Sequence, residues 1–130
     1  MDGPHSTSPE PSWEALRDEV IENIDSLIKD VVATRAGLKA YQAVLEKNRR
    51  HLAGGGRIDA TPALFNLRAS RTALTEVLAG LERSRGAARL ALWRLQVAEG
   101  TTIAEIARVW GFSRQLISRS LSGETRSERK

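Results

Sequence analysis

Apolar residues recur at alternating steps of three and four over most of the chain, the spacing of a helix with one buried face. From Trp13 to about Leu52 they form one row, interrupted by Arg17, Thr34 and Asn48. The row consists of Val20, Ile24, Leu27, Val31, Leu38, Tyr41, Leu45 and Leu52, flanked by Leu16, Ile21, Ile28 and Val44. The pattern predicts a helix about 60 Å long, with an apolar stripe wider than one partner helix would cover.

Capping residues mark where this helix begins and ends. Ser12 can cap its start, and the run Gly54-Gly55-Gly56 ends it. Thr61 and Pro62 then supply an N-cap and a first-turn proline for a second helix. The glycine run is not a phosphate-binding loop, because such a loop needs a preceding strand and a Gly-Lys-Ser/Thr ending.

The second helix is predicted from Pro62 to about Ala98. Its apolar row is interrupted by Arg71 and Arg85 and consists of Leu64, Leu67, Leu74, Leu78, Leu81, Ala88, Leu92 and Leu95. Two helices of similar length joined by a short loop predict an antiparallel, coiled-coil-like hairpin, with Trp13 near the end of the second helix. Whether the second helix breaks at Gly86 is left open.

The stretch from Thr101 to Gly123 predicts two short helices around a glycine turn. Thr102 and Glu105 form a capping box at the start of the first. Gly111 suits the left-handed conformation that ends a helix, and Ser113 can cap the next. The apolar residues that give these helices an inner face are Ile103, Ile106, Ala107, Trp110, Phe112, Leu116, Ile117 and Leu121.

Several positions in this stretch follow a known pattern: Ala107, Gly111, Phe112, Ser113, Ile117, Ser118 and Arg119. Over about 21 residues they resemble the helix-turn-helix of bacterial repressors, resolvases and sigma factors. In that family a small residue stands four before the turn glycine and an apolar residue six after it, as Ala107 and Ile117 do. Trp110 is larger than the family's usual residue, and Ser120 replaces an apolar anchor, for which Leu121 can substitute.

The resemblance implies that the last helix enters the DNA major groove with its polar outer face. The residues implied to read bases are Arg114, Gln115, Ser118 and Arg119. The residues implied to contact the DNA backbone are Thr101, Thr102, Ser113, Ser122 and Arg126.

Charge along the chain is uneven and favours an acidic partner for the C-terminal part. The formal net charge is +4. Residues 1–56 carry 7 basic and 9 acidic groups, net −2, whereas residues 84–130 carry 9 basic and 4 acidic groups, net +5. The positive part contains the glycine-turn motif, which is consistent with a nucleic-acid partner.

Composition excludes several classes of function. There is no cysteine, hence no disulfide, thiolate metal site or cysteine nucleophile. The two histidines, His5 and His51, lie far apart in sequence, and no acid/base pair or metal cluster can be assembled. We therefore expect no catalysis, cofactor or metal. No apolar run is long enough to span a bilayer and the start does not resemble a signal peptide, so we expect a soluble cytoplasmic protein.

These patterns predict an all-α protein, with a long antiparallel helical hairpin followed by a C-terminal three-helix helix-turn-helix domain. We divide the chain into a disordered tail (1–11), a hairpin for dimerisation or partner binding (12–83), the DNA-binding domain (84–123) and a flexible basic tail (124–130). The leading hypothesis is a sequence-specific transcriptional regulator that binds double-stranded DNA as a homodimer. The alternative is a protein-interaction module that docks on a sigma factor or RNA polymerase.

Overall fold

The computed structural model describes residues 10–58 and 62–128, without the side chains of residues 62–66 and 124–128. The described residues form four α-helices and no strand, which confirms the predicted all-α class. The helices are α1 (Trp13–Ala53), α2 (Pro62–Ala98), α3 (Ile103–Trp110) and α4 (Arg114–Glu128). None of the helices in these ranges has the length and apolarity needed to cross a lipid bilayer. Residues 1–9 of the predicted tail (1–11), and the predicted N-cap Thr61, lie outside the described residues.

Local signals place the ends of the long helices where the sequence predicts them. The hydroxyl of Ser12 accepts a hydrogen bond from the amide of Ala15 at 3.1 Å, which caps α1. At the other end Gly55 has φ +89°, the left-handed conformation that a glycine adopts without steric cost. The ring of His51 occupies the space beside Gly56 and hydrogen-bonds to the carbonyl of Arg57 at 2.9 Å.

The described residues fall into two compact units: those within residues 25–86, and those up to Ile24 together with those from Ala87 onward. In the second of these units, the indole N–H of Trp13 donates to Glu99 at 2.8 Å. The guanidinium of Arg94 lies 3.1 Å from the carboxylate of Glu19. These contacts hold the first turns of α1 on the end of α2, as the sequence predicts for Trp13.

In the unit of residues 25–86, α1 and α2 contact each other along a narrow seam. The hydroxyl of Ser84 donates to Asp30, and Gly37 lies against the methyl groups of Val77. The buried or half-buried positions of α1 are Leu27, Asp30, Thr34, Gly37, Tyr41, Val44, Asn48 and His51. Those of α2 include Leu67, Ser70, Leu74, Val77, Leu81 and Ser84.

This seam corrects the predicted apolar row of α1. Thr34, expected to interrupt the row, is buried, and its hydroxyl donates to the carbonyl of Asp30 at 2.6 Å. By contrast, four aliphatic residues of the predicted row remain 42–48% exposed: Val31, Leu38, Leu45 and Leu52. The physical reason is that small residues such as Gly37 permit close approach of the helices on one side of the row, which turns the larger aliphatic residues outward.

Two glycines inside helices do not interrupt them. The helix α2 runs through Gly86 without a break, and α4 runs through Gly123 to Glu128. The helix α4 thus extends past residue 123, where the predicted DNA-binding domain ends, and covers residues 124–128 of the segment predicted as a flexible basic tail. A glycine in a helix costs only about 1 kcal/mol relative to alanine, and no proline follows Gly123 to stop the helix.

We predict opposite effects for one substitution at two glycines. A methyl group at Gly86 would meet no atom within 4 Å, so Gly86→Ala should raise the free energy of unfolding by about 0.5–1 kcal/mol. Gly111 has φ +77°, so Gly111→Ala should lower the free energy of unfolding by about 1–2 kcal/mol. Urea unfolding followed by circular dichroism measures both. A loss of stability in Gly86→Ala would contradict a continuous α2.

Candidate nucleic-acid interface

A small aromatic and aliphatic core holds α3 and α4 against the end of α2. Trp93, Ile106 and Ile117 are essentially inaccessible to solvent. The partly buried side chains packed around them are Leu90, Ile103, Trp110, Phe112 and Leu121. Since Ile106 lies on α3 and Ile117 on α4, their burial together fixes which face of each helix turns inward.

Trp93 is the centre of this core. The ring of Trp110 lies edge-on to it with a centroid separation of 5.9 Å, and that of Phe112 with a separation of 5.6 Å. The indole N–H of Trp110 donates to the side chain of Gln96 at 3.2 Å. The large residue before the glycine, a departure from the family pattern, is thus accommodated by an aromatic contact and a hydrogen bond to α2.

Arg89 holds the turn between α3 and α4, a role that the sequence analysis missed. Its guanidinium carbon lies 4.9 Å from the ring centroid of Phe112 and 5.3 Å from that of Trp93. Such cation–π contacts contribute about 0.5–2 kcal/mol each. The four-residue spacing of Arg89 and Trp93 on one helix was a signal for their pairing, but the contact with Phe112 depends on tertiary structure.

The turn itself follows the predicted local chemistry. Gly111 adopts the left-handed conformation and its amide donates to the carbonyl of Ala107 at 2.9 Å. Ser113 caps α4, because its hydroxyl accepts from the amide of Leu116 at 3.1 Å and its carbonyl accepts from the amide of Ile117 at 3.2 Å. A three-residue connection therefore joins two capped helices.

The predicted capping box at the start of α3 is present. The Thr102 hydroxyl accepts from the Glu105 amide at 3.1 Å, and the Glu105 carboxylate accepts from the Thr102 amide at 3.0 Å. Hydrogen bonds from the amide and hydroxyl of Thr102, aided by the charge of Arg108, hold the pKa of Glu105 below its ordinary value, although desolvation opposes this shift. Both donors of Thr102 are therefore engaged within the protein.

The four residues predicted to read bases lie together on the exposed face of α4. Arg114, Gln115, Ser118 and Arg119 line one open surface depression. Within the part of the chain that the structure describes, none of the four side chains makes a hydrogen bond or ion pair. Their donors and acceptors are thus available to an external partner.

The residues predicted to contact the DNA backbone lie on different elements. Ser113 and Ser122 are exposed on the turn and on α4, and Thr101 is half-exposed, with its amide donating to the carbonyl of Gln96 at 2.9 Å. The side chain of Arg126 lies outside the described residues. Among the described residues, no group of three acidic or histidine side chains is placed to hold a metal ion.

We predict that burial of Ile106 is essential for this unit. Ile106→Ala should lower the free energy of unfolding by about 2–5 kcal/mol, since it removes apolar contacts and leaves a cavity. Val109 lies on the same helix but is 71% exposed, so Val109→Ala should change the free energy of unfolding by no more than about 0.5 kcal/mol. Urea titration measures both variants. Similar losses in the two variants would mean that α3 does not pack on α2 through its Ile106 face.

A pH dependence follows from the capping box. Because the folded-state pKa of Glu105 lies below its unfolded value of about 4.5, its ionisation stabilises the fold at higher pH. This contribution to stability is lost as the pH falls through the folded-state pKa of Glu105. In thermal melts between about pH 5 and pH 3, wild type should lose stability more steeply than Glu105→Gln.

The control for this pH experiment is Glu76→Gln, which also removes one exposed carboxylate, but on α2. Glu76 has no hydrogen-bond or ion-pair partner in the described ranges. Its variant should retain the pH slope of wild type. If Glu105→Gln also keeps that slope, the capping box makes no contribution through ionisation of Glu105.

Comparisons of the chain with protein families, with curated proteins and with solved structures found no match. A functional proposal therefore depends on the chemistry and placement of the side chains on α3 and α4.

Proposed function

We propose that the chain is a bacterial, sequence-specific DNA-binding transcriptional regulator whose α4 reads the major groove. In this proposal α3, the Gly111 turn and α4 form a helix-turn-helix, with the end of α2 as its first helix. The observation that carries it is the exposed, uncommitted row on α4 that contains Arg114, Gln115, Ser118 and Arg119. A protein of this kind would act in the cytoplasm, where the DNA is.

The chemistry of the row matches base edges. An arginine can donate two hydrogen bonds to guanine, and a glutamine can pair with adenine in the same way. Arg114 and Gln115 belong to the first turn of α4, the end that contacts bases in known helix-turn-helix proteins. Ser118 and Arg119 lie about one turn further and would extend the reading surface.

Phosphate contacts would come from the residues around the turn. Ser113, Ser122 and Thr101 are exposed or half-exposed and carry hydroxyl groups that can donate to phosphate oxygens. Thr102 is better assigned to capping, since its amide and hydroxyl already donate to Glu105. The phosphate contact of Arg126 is proposed only because its side chain is positively charged.

A protein-docking role for α4 is the competing proposal, with a sigma factor or RNA polymerase as the partner. The cores of protein interfaces are depleted of charge and enriched in aromatic residues. The exposed face of α4 is polar and carries two arginines, Arg114 and Arg119, which suits DNA better. The exposed aliphatic residues of α1 are the surface that favours a protein contact.

We further propose that α1 and α2 form an antiparallel hairpin and that two copies of the chain bind DNA together. In each compact unit, residues later in α1 contact residues earlier in α2. Glu19 pairs with Arg94 in one unit, and Asp30 and Gly37 contact Ser84 and Val77 in the other. Two copies would present two reading helices to two half-sites, which raises the low affinity of a single helix-turn-helix.

The reading face can be tested by separating specific from non-specific binding. Selection from a random DNA pool would first supply the preferred site. On that site Arg114→Ala or Gln115→Ala should cost about 1–3 kcal/mol, with a much smaller loss on a scrambled duplex, so that the specificity ratio falls. Fluorescence anisotropy at several salt concentrations measures both affinities.

Two comparisons make this test specific. Arg83→Ala removes one positive charge from an exposed position of α2 in the other compact unit, and should leave the specificity ratio unchanged. Substituting Arg126, Arg129 and Lys130 together should weaken both duplexes alike and flatten the salt dependence. Wild-type affinity of the Arg114 and Gln115 variants for both duplexes would favour the docking role instead.

A further inference from the structure

The net positive charge of the chain belongs to the compact unit that does not contain α4. Residues 1–24 and 87–130, the ranges of the unit with α4, carry 9 basic and 10 acidic groups, net −1. Residues 25–86, the range of the other unit, carry 11 basic and 6 acidic groups, net +5. Charge counted along the sequence hides this difference, because the acidic first turns of α1 belong to the unit that contains α4.

This excess of positive charge lies within one part of the unit. Residues 47–71 carry 6 basic groups and one acidic group, net +5, whereas residues 25–46 and 72–86 together carry 5 of each. The six basic residues, which we call the basic tip, are Lys47, Arg49, Arg50, Arg57, Arg68 and Arg71. The acidic residue, Asp59, lies outside the described residues. The basic tip is therefore a local concentration of charge, since opposite charges balance in the rest of the unit.

Contacts between α1 and α2 bring the basic groups of the two helices to the same end of this unit. Asp30 contacts Ser84 and Gly37 lies against Val77, so a step of seven residues forward on α1 matches seven residues back on α2. One further step brings position 44 to position 70, and both positions are half-buried. The basic residues that follow position 44 on α1 are therefore close to those that flank position 70 on α2.

The side chains of the basic tip are available to a partner. All six residues are exposed. Within the described ranges none of the six side chains makes a hydrogen bond or ion pair, whereas Arg17, Arg85 and Arg94 each pair with a carboxylate. Unpaired charges of one sign repel each other and destabilise the folded unit. A bound polyanion would remove this repulsion.

The composition of the basic tip favours the phosphates of a nucleic acid as the anion. Five of its six residues are arginines, and a guanidinium can donate two parallel hydrogen bonds to one phosphate group. An anionic membrane is the competing partner, but segments that lie at a membrane surface are enriched in Trp and Tyr. The tryptophans of the chain, Trp13, Trp93 and Trp110, and its single tyrosine, Tyr41, all lie outside residues 47–71.

We propose that the basic tip binds the phosphate backbone of double-stranded DNA without regard to base sequence. Basic groups that neutralise phosphates release counterions, and this release supplies affinity for any duplex. The unit that contains α4 has a net charge of −1 and supplies little such attraction by its overall charge. The choice of DNA rests on the reading role proposed for α4, but the basic tip is tested on a duplex that lacks the preferred site.

The test is a triple substitution in the full chain: Lys47→Gln, Arg49→Gln and Arg50→Gln. Each phosphate contact contributes about −0.9 to the slope of log affinity against log salt concentration, so losing three should flatten that slope by about 2–3. Fluorescence anisotropy with a scrambled duplex at several salt concentrations measures the slope. The variant should weaken binding to the preferred site by the same factor, which leaves the specificity ratio unchanged.

The matched control is Arg35→Gln, Lys39→Gln and Arg83→Gln. It also removes one lysine and two arginines from exposed positions of the same unit, but outside the basic tip. At about 0.15 M salt, exposed charges more than about 8 Å apart are largely screened, so the control should change the slope much less. Circular dichroism should show wild-type helix content in both variants, because all the substituted positions are exposed.

Three outcomes separate the possible roles of the basic tip. A wild-type salt slope in the tip variant, or an equal flattening in the control, would overturn the proposal. Vesicles of equal parts phosphatidylcholine and phosphatidylserine test the competing partner: sedimentation with them that depends on the tip, without tip-dependent duplex binding, would assign this surface to a membrane instead. A tip-dependent slope with no preferred site recovered from the random DNA pool would support the basic tip and count against base reading by α4.

Discussion

Burial of Trp93 is the interaction on which the candidate interface depends. The helix α3 has only eight residues, too few to be stable in water without packing. Its stability therefore comes from the contact of Ile106 and Trp110 with Trp93 of α2. The same contact orients α4, since Ile117 is buried in the same core. Once Ile117 points inward, helical geometry directs Gln115 and Arg119, each two positions away from it, to the opposite side of α4. The exposed polar row of α4 is therefore a consequence of packing.

The connection between α3 and α4 is held by local and tertiary interactions together. Gly111 and the cap at Ser113 determine where one helix ends and the next begins. Phe112, between them, is held by the ring of Trp93 and the guanidinium of Arg89. Loop residues on a rigid support are the usual position for recognition groups. A turn held from both sides fixes the orientation of α4, so that in the proposed DNA-binding role its side chains would not need to reorganise.

The seam between α1 and α2 determines which side chains of α1 stay in water. A helix has limited circumference, and the positions that contact α2 include polar and small residues such as Asp30, Thr34 and Gly37. The Thr34 hydroxyl satisfies its hydrogen-bonding requirement within its own helix, so its burial is tolerated. As a result, larger aliphatic residues of α1 stay partly in water. The protein thereby retains an exposed apolar surface, and burying that surface would lower its free energy.

The sequence by itself determined the local features: helical periodicity, the bounds of α1 and α2, the capping box of Thr102 and Glu105, and the left-handed Gly111. Each depends on residues close together in the chain, so pattern and propensity suffice. Only the tertiary structure decided which apolar row of α1 is buried. It also decided that Arg89 holds Phe112. Those outcomes depend on how closely two helices approach and on contacts between residues distant in sequence, which periodicity does not encode.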